Sequence, residues 1–139
     1  MKIAVVYWSS TGNTEAMAQA VAEGARKAGA SAELFTATEF DGGKVDAFDA
    51  IAFGCPAMGA EELEDSEFAP MFESCESKLS GKKIALFGSY GWGDGEWMRT
   101  WEEACRGDGA ELACESVICQ ETPDTVAEEN CRSLGAALA

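Results

Sequence analysis

The sequence contains no histidine and few basic residues, and both shortages restrict its chemistry. Its 139 residues include 25 acidic and 10 basic side chains, which gives a formal net charge of −15. A surface this negative repels nucleic-acid phosphates and anionic lipid headgroups, so we expect neither nucleic-acid nor membrane binding. Partner proteins with basic patches are favoured instead, because opposite charges steer proteins together.

Metal-binding patterns and long apolar runs are also missing. Without histidine or a C-x-x-C pair, the usual zinc and iron–sulfur patterns are absent, and we expect no metal. No apolar run approaches the roughly 20 residues of a membrane span, and the N-terminal run covers only residues 3–8. We therefore expect a cytoplasmic protein with free, mostly buried thiols at Cys55, Cys75, Cys105, Cys114, Cys119 and Cys131.

Short apolar runs alternate with amphipathic stretches along the whole chain. The pattern predicts strands at 3–7, 32–35, 50–53, 84–87 and 112–119, and helices at 13–27, 68–75, 97–105 and 123–138. This alternation predicts a single α/β domain over residues 1–139, with a parallel sheet covered by helices on both faces. Ligands bind beyond the carboxyl ends of such strands, so loops 9–14, 54–62 and 88–97 should lie side by side.

The first of these loops reads "SSTGNT" and joins a strand to a helix. Amides at a helix N-terminus favour an anion, and hydroxyls add further donors. No Gly-Lys-Ser/Thr follows and G-x-G-x-x-G is absent, so neither common nucleotide fingerprint applies. The loop has no basic residue, which suits one terminal phosphate. The same groups also cap helices, so both interpretations stay open at this point.

The other two loops combine glycine with large or acidic side chains. In "GSYGWGDGEW", glycines leave Tyr90 and Trp92 on an exposed turn, as stacking surfaces or as aromatics packed on the sheet edge. In "AMGAEELEDSE", Met58 and Gly59 can form a tight turn. The acids of 62–67 are interpreted as a solvated helix start, whereas Glu61 is assigned to the site.

Together the three loops resemble those of a flavodoxin, of the short-chain kind found in anaerobic bacteria. "SSTGNT" resembles the phosphate loop, "GCPAMGAE" the second flavin loop and "GSYGWGDGEWM" the third, in order along the whole chain. The resemblance implies a flavodoxin-like three-layer sandwich with a five-stranded parallel sheet in the order 2-1-3-4-5. It also implies a low-potential one-electron carrier with non-covalently bound FMN, shuttling between semiquinone and hydroquinone.

The resemblance also implies roles for individual residues. The phosphate would be held by 9–14, Trp92 and Met58 would cover the two flavin faces, and Glu61 would accept from flavin N3–H. Backbone amides around Gly91 would face the N1–O2 edge. The expected FMN-binding residues are Ser9, Ser10, Thr11, Gly12, Asn13, Thr14, Pro56, Ala57, Met58, Gly59, Glu61, Ser89, Tyr90, Gly91, Trp92, Gly93 and Asp94. Relatives often place a phosphate-binding serine where this chain has Pro56, so that contact is not expected here.

Two other functions fit an α/β sheet of this kind. An NAD(P)H-dependent FMN or quinone reductase would need an open flavin face and groups for a second phosphate, yet loops 54–62 and 88–97 contain no basic residue. A phosphoacceptor module would need acids after its first and third strands, where Tyr7, Trp8 and Gly54 stand. The sequence therefore favours a monomeric carrier without catalytic residues, which serves reductases and low-potential acceptors bearing basic patches.

Overall fold

Strands and helices alternate along the chain in the predicted order. The computed structural model describes residues 1–139. Its strands are β1 (Lys2–Tyr7), β2 (Ser31–Thr36), β3 (Ala50–Gly54), β4 (Lys83–Tyr90), β5 (Glu111–Leu112) and β6 (Val117–Gln120). Its helices are α1 (Asn13–Lys27), α2 (Phe68–Glu76), α3 (Glu96–Gly107) and α4 (Thr125–Leu138). Two 3₁₀ turns, Ala37–Glu39 and Gly42–Ala47, follow β2.

All strands run parallel in the order β2-β1-β3-β4-β5, which confirms the predicted topology. The predicted fifth strand at 112–119 is wrong in one respect, because it is split into β5 and β6, and both pair with β4. Residues 113–116 lie opposite only residues 85–86 of β4, so two residues are in excess and the ladder is interrupted. The sheet consequently has six strands in five positions.

The two faces of the sheet are covered by different helices. Along β1, Ile3 and Val5 join the cluster that contains α1 and α4, whereas Ala4 and Val6 join the cluster that contains α2 and α3. This alternation follows from the two-residue repeat of a strand, and both faces are apolar because both are covered. The result is the predicted three-layer sandwich.

Helices α1 and α4 approach each other closely at two glycines. A Cβ at Gly24 would overlap the carbonyl of Arg132, and a Cβ at Gly135 would overlap the carbonyl of Val21. Only glycine lets the two backbones lie this close. No helix of the protein has both the length and the apolar character that a bilayer crossing requires.

The start of α4 differs from the prediction by two residues. Pro123 was expected to open this helix, but α4 begins at Thr125. Asp124 is the N-cap, and its Oδ1 accepts a hydrogen bond of 2.8 Å from the amide of Ala127. An aspartate that satisfies a free amide in this way defines the first turn, and it leaves the proline outside.

The start of α2 contradicts the expectation that the acids of 62–67 are all solvated. Glu64 is 5% exposed, and its carboxylate accepts from the amides of Ser66, Glu67 and Phe68 at 2.7–2.9 Å and from the Ser66 hydroxyl. These amides lie at the helix start, where no helical carbonyl is available. Burial alone would raise the pKa of Glu64, but the four hydrogen bonds outweigh it and lower the pKa to about 2.

The lowered pKa of Glu64 makes its contribution to stability depend on pH. The contribution is complete above the ordinary value near 4.5 and is lost as the pH falls toward about 2. Glu64→Gln should therefore lower the free energy of unfolding by roughly 2–3 kcal/mol at pH 7, and by much less near pH 2.5. Urea unfolding at both pH values measures the difference. Asp65→Asn, at an exposed neighbour, is the control, and an equal pH-dependent loss there would contradict the assignment.

Candidate functional site

A cavity of about 390 Å³ opens at the carboxyl edge of the sheet, where the three predicted loops meet. Strands β1, β3 and β4 end beside it at Tyr7, Gly54 and Tyr90. The cavity is lined by Ser9, Ser10, Thr11, Asn13, Thr14, Pro56, Ala57, Met58, Ser89, Tyr90, Gly91, Glu121 and Thr122. The structure therefore brings all three loops together at one place, as the parallel topology requires.

The first loop presents backbone donors that the protein itself leaves free. The amides of Ser10, Thr11, Asn13 and Thr14 donate no hydrogen bond within the protein, and all four residues line the cavity. They stand at the N-terminus of α1, whose dipole adds a partial positive charge. No lysine or arginine lines the cavity. This end of the cavity thus offers neutral donors with the geometry that suits an anion.

The hydroxyls of the first loop do not cap α1. Gly12 is the N-cap at φ 93°, and no side chain accepts a capping hydrogen bond. Ser9 Oγ accepts from the Gly12 amide at 3.1 Å, which holds the loop itself. Thr14 is 1% exposed, and its buried Oγ1 has no hydrogen-bond partner. A buried unpaired hydroxyl beside free amides makes this loop a candidate ligand site.

The second loop forms a closed turn in which backbone strain is concentrated. The amide of Met58 donates to the carbonyl of Glu62 at 2.8 Å, and the amide of Glu62 donates to the carbonyl of Met58 at 2.9 Å. Inside the turn, Gly59 has φ 51° and Glu61 has φ 56°. A positive φ is uncommon for a glutamate and is typical of functional sites.

Glu61 connects the second loop to the third. Its Oε1 accepts from the Glu96 amide at 3.1 Å, at the N-terminus of α3, where a carboxylate is favoured by the helix dipole. A Cβ at Gly93, whose φ is 88°, would lie 2.6 Å from this carboxyl group. The glycine therefore gives the carboxylate room to reach α3.

The third loop places one aromatic side chain inward and one outward. The Tyr90 ring lies 5.5 Å from the Trp97 ring, whereas Trp92 is 64% exposed. Asp94 forms an ion pair of 3.0 Å with Arg99, which reaches back from α3. Trp92 is thus not packed on the sheet edge, and Asp94 has a basic partner that loop composition alone did not indicate.

Some of the predicted residues lie beside the cavity without lining it. Gly12 borders a neighbouring cavity of about 330 Å³, and Glu61 borders a cleft between α2 and α3. The others outside the lining are Gly59, Trp92, Gly93 and Asp94. These residues belong to the same loops, at the open side.

The sequence analysis missed a fourth segment, Glu121 and Thr122, which also lines the cavity. Glu121 has φ 59°, its amide donates to the carbonyl of Tyr90 at 2.8 Å, and its own carbonyl accepts from Ser89 Oγ at 2.7 Å. The available signal is its position two residues after the last predicted strand, at the same sheet edge as the other loops.

The cysteines nearest the site behave as buried apolar groups. Burial, with a smaller effect from the Glu64 charge, raises the pKa of the Cys55 thiol to about 12. All six cysteines are free, and no group of three or more histidine, cysteine, aspartate or glutamate side chains is arranged to hold a metal ion. A protonated Cys55 is a poor nucleophile, so the chemistry of this site does not come from a thiolate.

Comparison with known proteins identifies what this edge of the sheet resembles. The flavodoxin family profile matches residues 5–135. Flavodoxin from Megasphaera elsdenii is 45% identical over 137 residues, covering 99% of this chain and 98% of that protein. Flavodoxin from Clostridium beijerinckii is 44% identical over 135 residues, covering 97% of each.

Solved structures agree with the sequence comparisons. The solution structure of two-electron reduced Megasphaera elsdenii flavodoxin has a TM-score of 0.90 at 46% identity, covering 98% of this chain and 97% of that chain. The reductase alternative has no support among these relatives, which are named flavodoxins. The fold, the loop arrangement and the near-complete coverage agree, and the chain belongs to the flavodoxin family of FMN-binding electron-transfer proteins, which are not enzymes.

Proposed function

We propose that this protein is a low-potential one-electron carrier that holds FMN non-covalently in the cavity at the carboxyl edge of the sheet. Bound FMN takes up and releases single electrons, cycling between its one-electron and two-electron reduced states. The observation that carries the proposal is the group of free amides around the buried, unpaired Thr14 hydroxyl. These residues fit the terminal phosphate of FMN, because they supply donors and a helix N-terminus.

The first loop, 9–14, is proposed to bind that phosphate. The cavity has no lysine or arginine among its lining residues, so hydrogen bonds rather than ion pairs must hold the anion. Pro56 lies in the lining but has neither an amide hydrogen nor a hydroxyl, so it contributes no donor. The amides and hydroxyls of the first loop must therefore supply the hydrogen bonds to the phosphate. The contribution of each hydroxyl can be tested by substitution.

The second and third loops are proposed to enclose the flavin ring. Met58 and Trp92 would cover its two faces, Gly91 would contribute backbone near the N1–O2 edge, and Glu61 would accept from N3–H. One oxygen of Glu61 already accepts from the Glu96 amide, and the other has no partner in the protein. The remaining candidates would shape the site, and they are Pro56, Ala57, Gly59, Ser89, Tyr90, Gly93 and Asp94.

The low potential is proposed to follow from the excess of acidic groups near the flavin. Glu61, Glu96 and Glu121 carry carboxylates at or beside the loops, and only Asp94 has a basic partner nearby. Adding the second electron leaves an anion that these carboxylates repel. The second reduction step should therefore be much harder than the first.

We also propose which partners the carrier has, its oligomeric state, its location and its domain extent. Redox partners with basic patches are favoured by the net charge of −15. A monomer is supported because only four large hydrophobic residues are exposed, namely Met1, Trp92, Ile118 and Val126. Six free thiols support a reducing, cytoplasmic location, and residues 1–139 are proposed to act as one domain.

Thr14→Val tests the phosphate site with little effect on the fold. The Thr14 hydroxyl has no partner in the protein, so valine should leave the ligand-free protein at least as stable. FMN affinity should fall about tenfold to a hundredfold, since one hydrogen bond to a charged group is lost, while riboflavin affinity should stay the same. Fluorescence titration measures both. Thr125→Val at the start of α4 is the control, and an equal loss for riboflavin would refute a phosphate contact.

Trp92→Ala tests the ring contact. Loss of a large stacked surface should weaken FMN binding by about 1–3 kcal/mol, and Trp92→Phe should restore most of it. The quenching of tryptophan fluorescence by FMN should decrease in the alanine variant. Val126→Ala, which shortens an exposed apolar side chain on α4, is the control. An unchanged dissociation constant for Trp92→Ala would mean that the exposed indole does not touch the flavin.

Salt dependence tests the electrostatic origin of the low potential. Stepwise reduction followed by visible absorbance should give a second midpoint potential well below the first. The second midpoint should become less negative with added salt, because salt screens the carboxylates over roughly a 10 Å Debye length. Glu121→Gln should shift it in the same direction, whereas Glu33→Gln on β2 should not. If neither added salt nor Glu121→Gln changes the second midpoint potential, the acidic residues do not determine that potential.

A further inference from the structure

A second opening, separate from the cavity at the sheet edge, lies between α2 and α3. It has a volume of about 350 Å³ and is lined by six hydrophobic residues, five acidic residues and one threonine. Its walls come from both helices, from Glu61 and Glu62 of the second loop, and from Leu63 directly after that loop. We name it the α2–α3 cleft. Of its lining residues, only Glu61 has a role in the FMN binding proposed above.

The floor of the α2–α3 cleft is aromatic and contains an unsatisfied donor. Phe72, Trp97 and Trp101 line it, and each is at most 3% exposed. The buried Nε1–H of Trp101 has no hydrogen-bond acceptor in the protein. Unpaired buried donors are rare, and this one belongs to a residue that lines the cleft.

The rim of the α2–α3 cleft is acidic, and no basic residue belongs to it. The acids are Glu61, Glu62, Asp65, Glu73 and Glu76. Burial, and to a smaller extent the neighbouring Asp108 and Glu73, raises the pKa of Glu76 to about 7, so this carboxyl is only partly charged at neutral pH and the other four acids supply most of the negative charge. The cleft therefore combines an apolar floor with a rim that attracts cations.

Hydrogen bonds connect residues of the α2–α3 cleft to the loop of the proposed flavin site. The Trp97 indole N–H donates to the carbonyl of Cys55 at 3.2 Å, directly before Pro56 in the second loop. Glu61, at the cleft rim, accepts from the N-terminus of α3. A partner that occupies the cleft would thus stand against the same loop that is proposed to hold the flavin.

We propose that the α2–α3 cleft is a docking groove for a basic redox partner, which inserts an apolar side chain flanked by lysine or arginine. The inference rests on the proposed function only in taking the occupant to be a redox partner. Charge complementarity selects that occupant, since the rim is wholly acidic and the floor apolar. A second copy of this chain is disfavoured, because it would bring another −15 charge against the same rim.

A short, end-blocked peptide of alternating lysine and leucine pairs is a suitable first occupant. It should bind the FMN-loaded protein at least about tenfold more tightly than a peptide with glutamine in place of leucine, or one with glutamine in place of lysine. The largest NMR shifts should fall on the amides of Ala69 and Thr100 and on the indole N–H of Trp101. Equal affinities, or shifts elsewhere, would refute the groove.

Two pairs of variants separate the groove from general charge attraction. Ala104→Trp fills the α2–α3 cleft and should weaken the lysine–leucine peptide about tenfold, whereas Ala136→Trp on the exposed face of α4 should not. Glu73→Gln on the rim should reduce both affinity and salt sensitivity, and Glu33→Gln on β2 should change them less. Equal effects within either pair would overturn the assignment.

FMN binding and self-association complete the test. Ala104→Trp should bind FMN normally, because the cleft is outside the FMN cavity. Normal FMN binding with no cleft-specific peptide binding would refute this inference alone, whereas failure of the parent protein to bind FMN would refute the proposed function and, with it, the redox identity of the partner. Sedimentation that reveals a dimer abolished by Ala104→Trp would assign the cleft to a second copy and overturn the basic partner.

Discussion

Parallel pairing of β1, β3 and β4 is the constraint on which the rest of the structure depends. Once Ile3–Tyr7 pairs in parallel with Ala50–Gly54, and that strand with Lys83–Phe87, every strand ends at the same edge. Parallel strands need helical crossovers, which cover both faces and leave the loops at that edge as the place for polar groups. The convergence of the loops around one cavity is therefore a consequence of the sheet rather than of contacts between the loops.

The first loop contains an unpaired polar group that lowers the stability of the folded protein. A buried hydroxyl without a partner, such as that of Thr14, is unfavourable by about 1–3 kcal/mol. The well-packed β1 strand and α1 helix on either side can offset this, because most of their apolar residues are fully buried. A well-packed strand and helix thus support a loop with unpaired donors, which is the arrangement expected of a preformed binding site.

The sequence predicted the elements well because each has an unambiguous period, and it failed where a contact from elsewhere decides the structure. The break between β5 and β6 depends on the number of residues opposite β4, which no local pattern encodes. Glu64 is buried because it accepts hydrogen bonds from free amides at the start of α2. The sequence alone does not distinguish it from the solvated acids beside it. Glu121 was missed because the strand before it was predicted to end one residue too early, at Cys119 instead of Gln120.

Two glutamates three positions apart illustrate why residue type alone cannot assign a role. Glu64 accepts from the amides that start α2, and Glu61 accepts from the amide that starts α3. The second loop is therefore held between two helix N-termini by carboxylates, each favoured by a helix dipole. Glu61 also lines the α2–α3 cleft, whose walls are the same helices. If either helix moves far enough to admit a side chain, these hydrogen bonds must break or the Met58–Glu62 turn must move with the helix. The second loop contributes residues both to the cleft and to the cavity. A partner docked in the cleft would therefore contact the loop that is proposed to enclose the flavin.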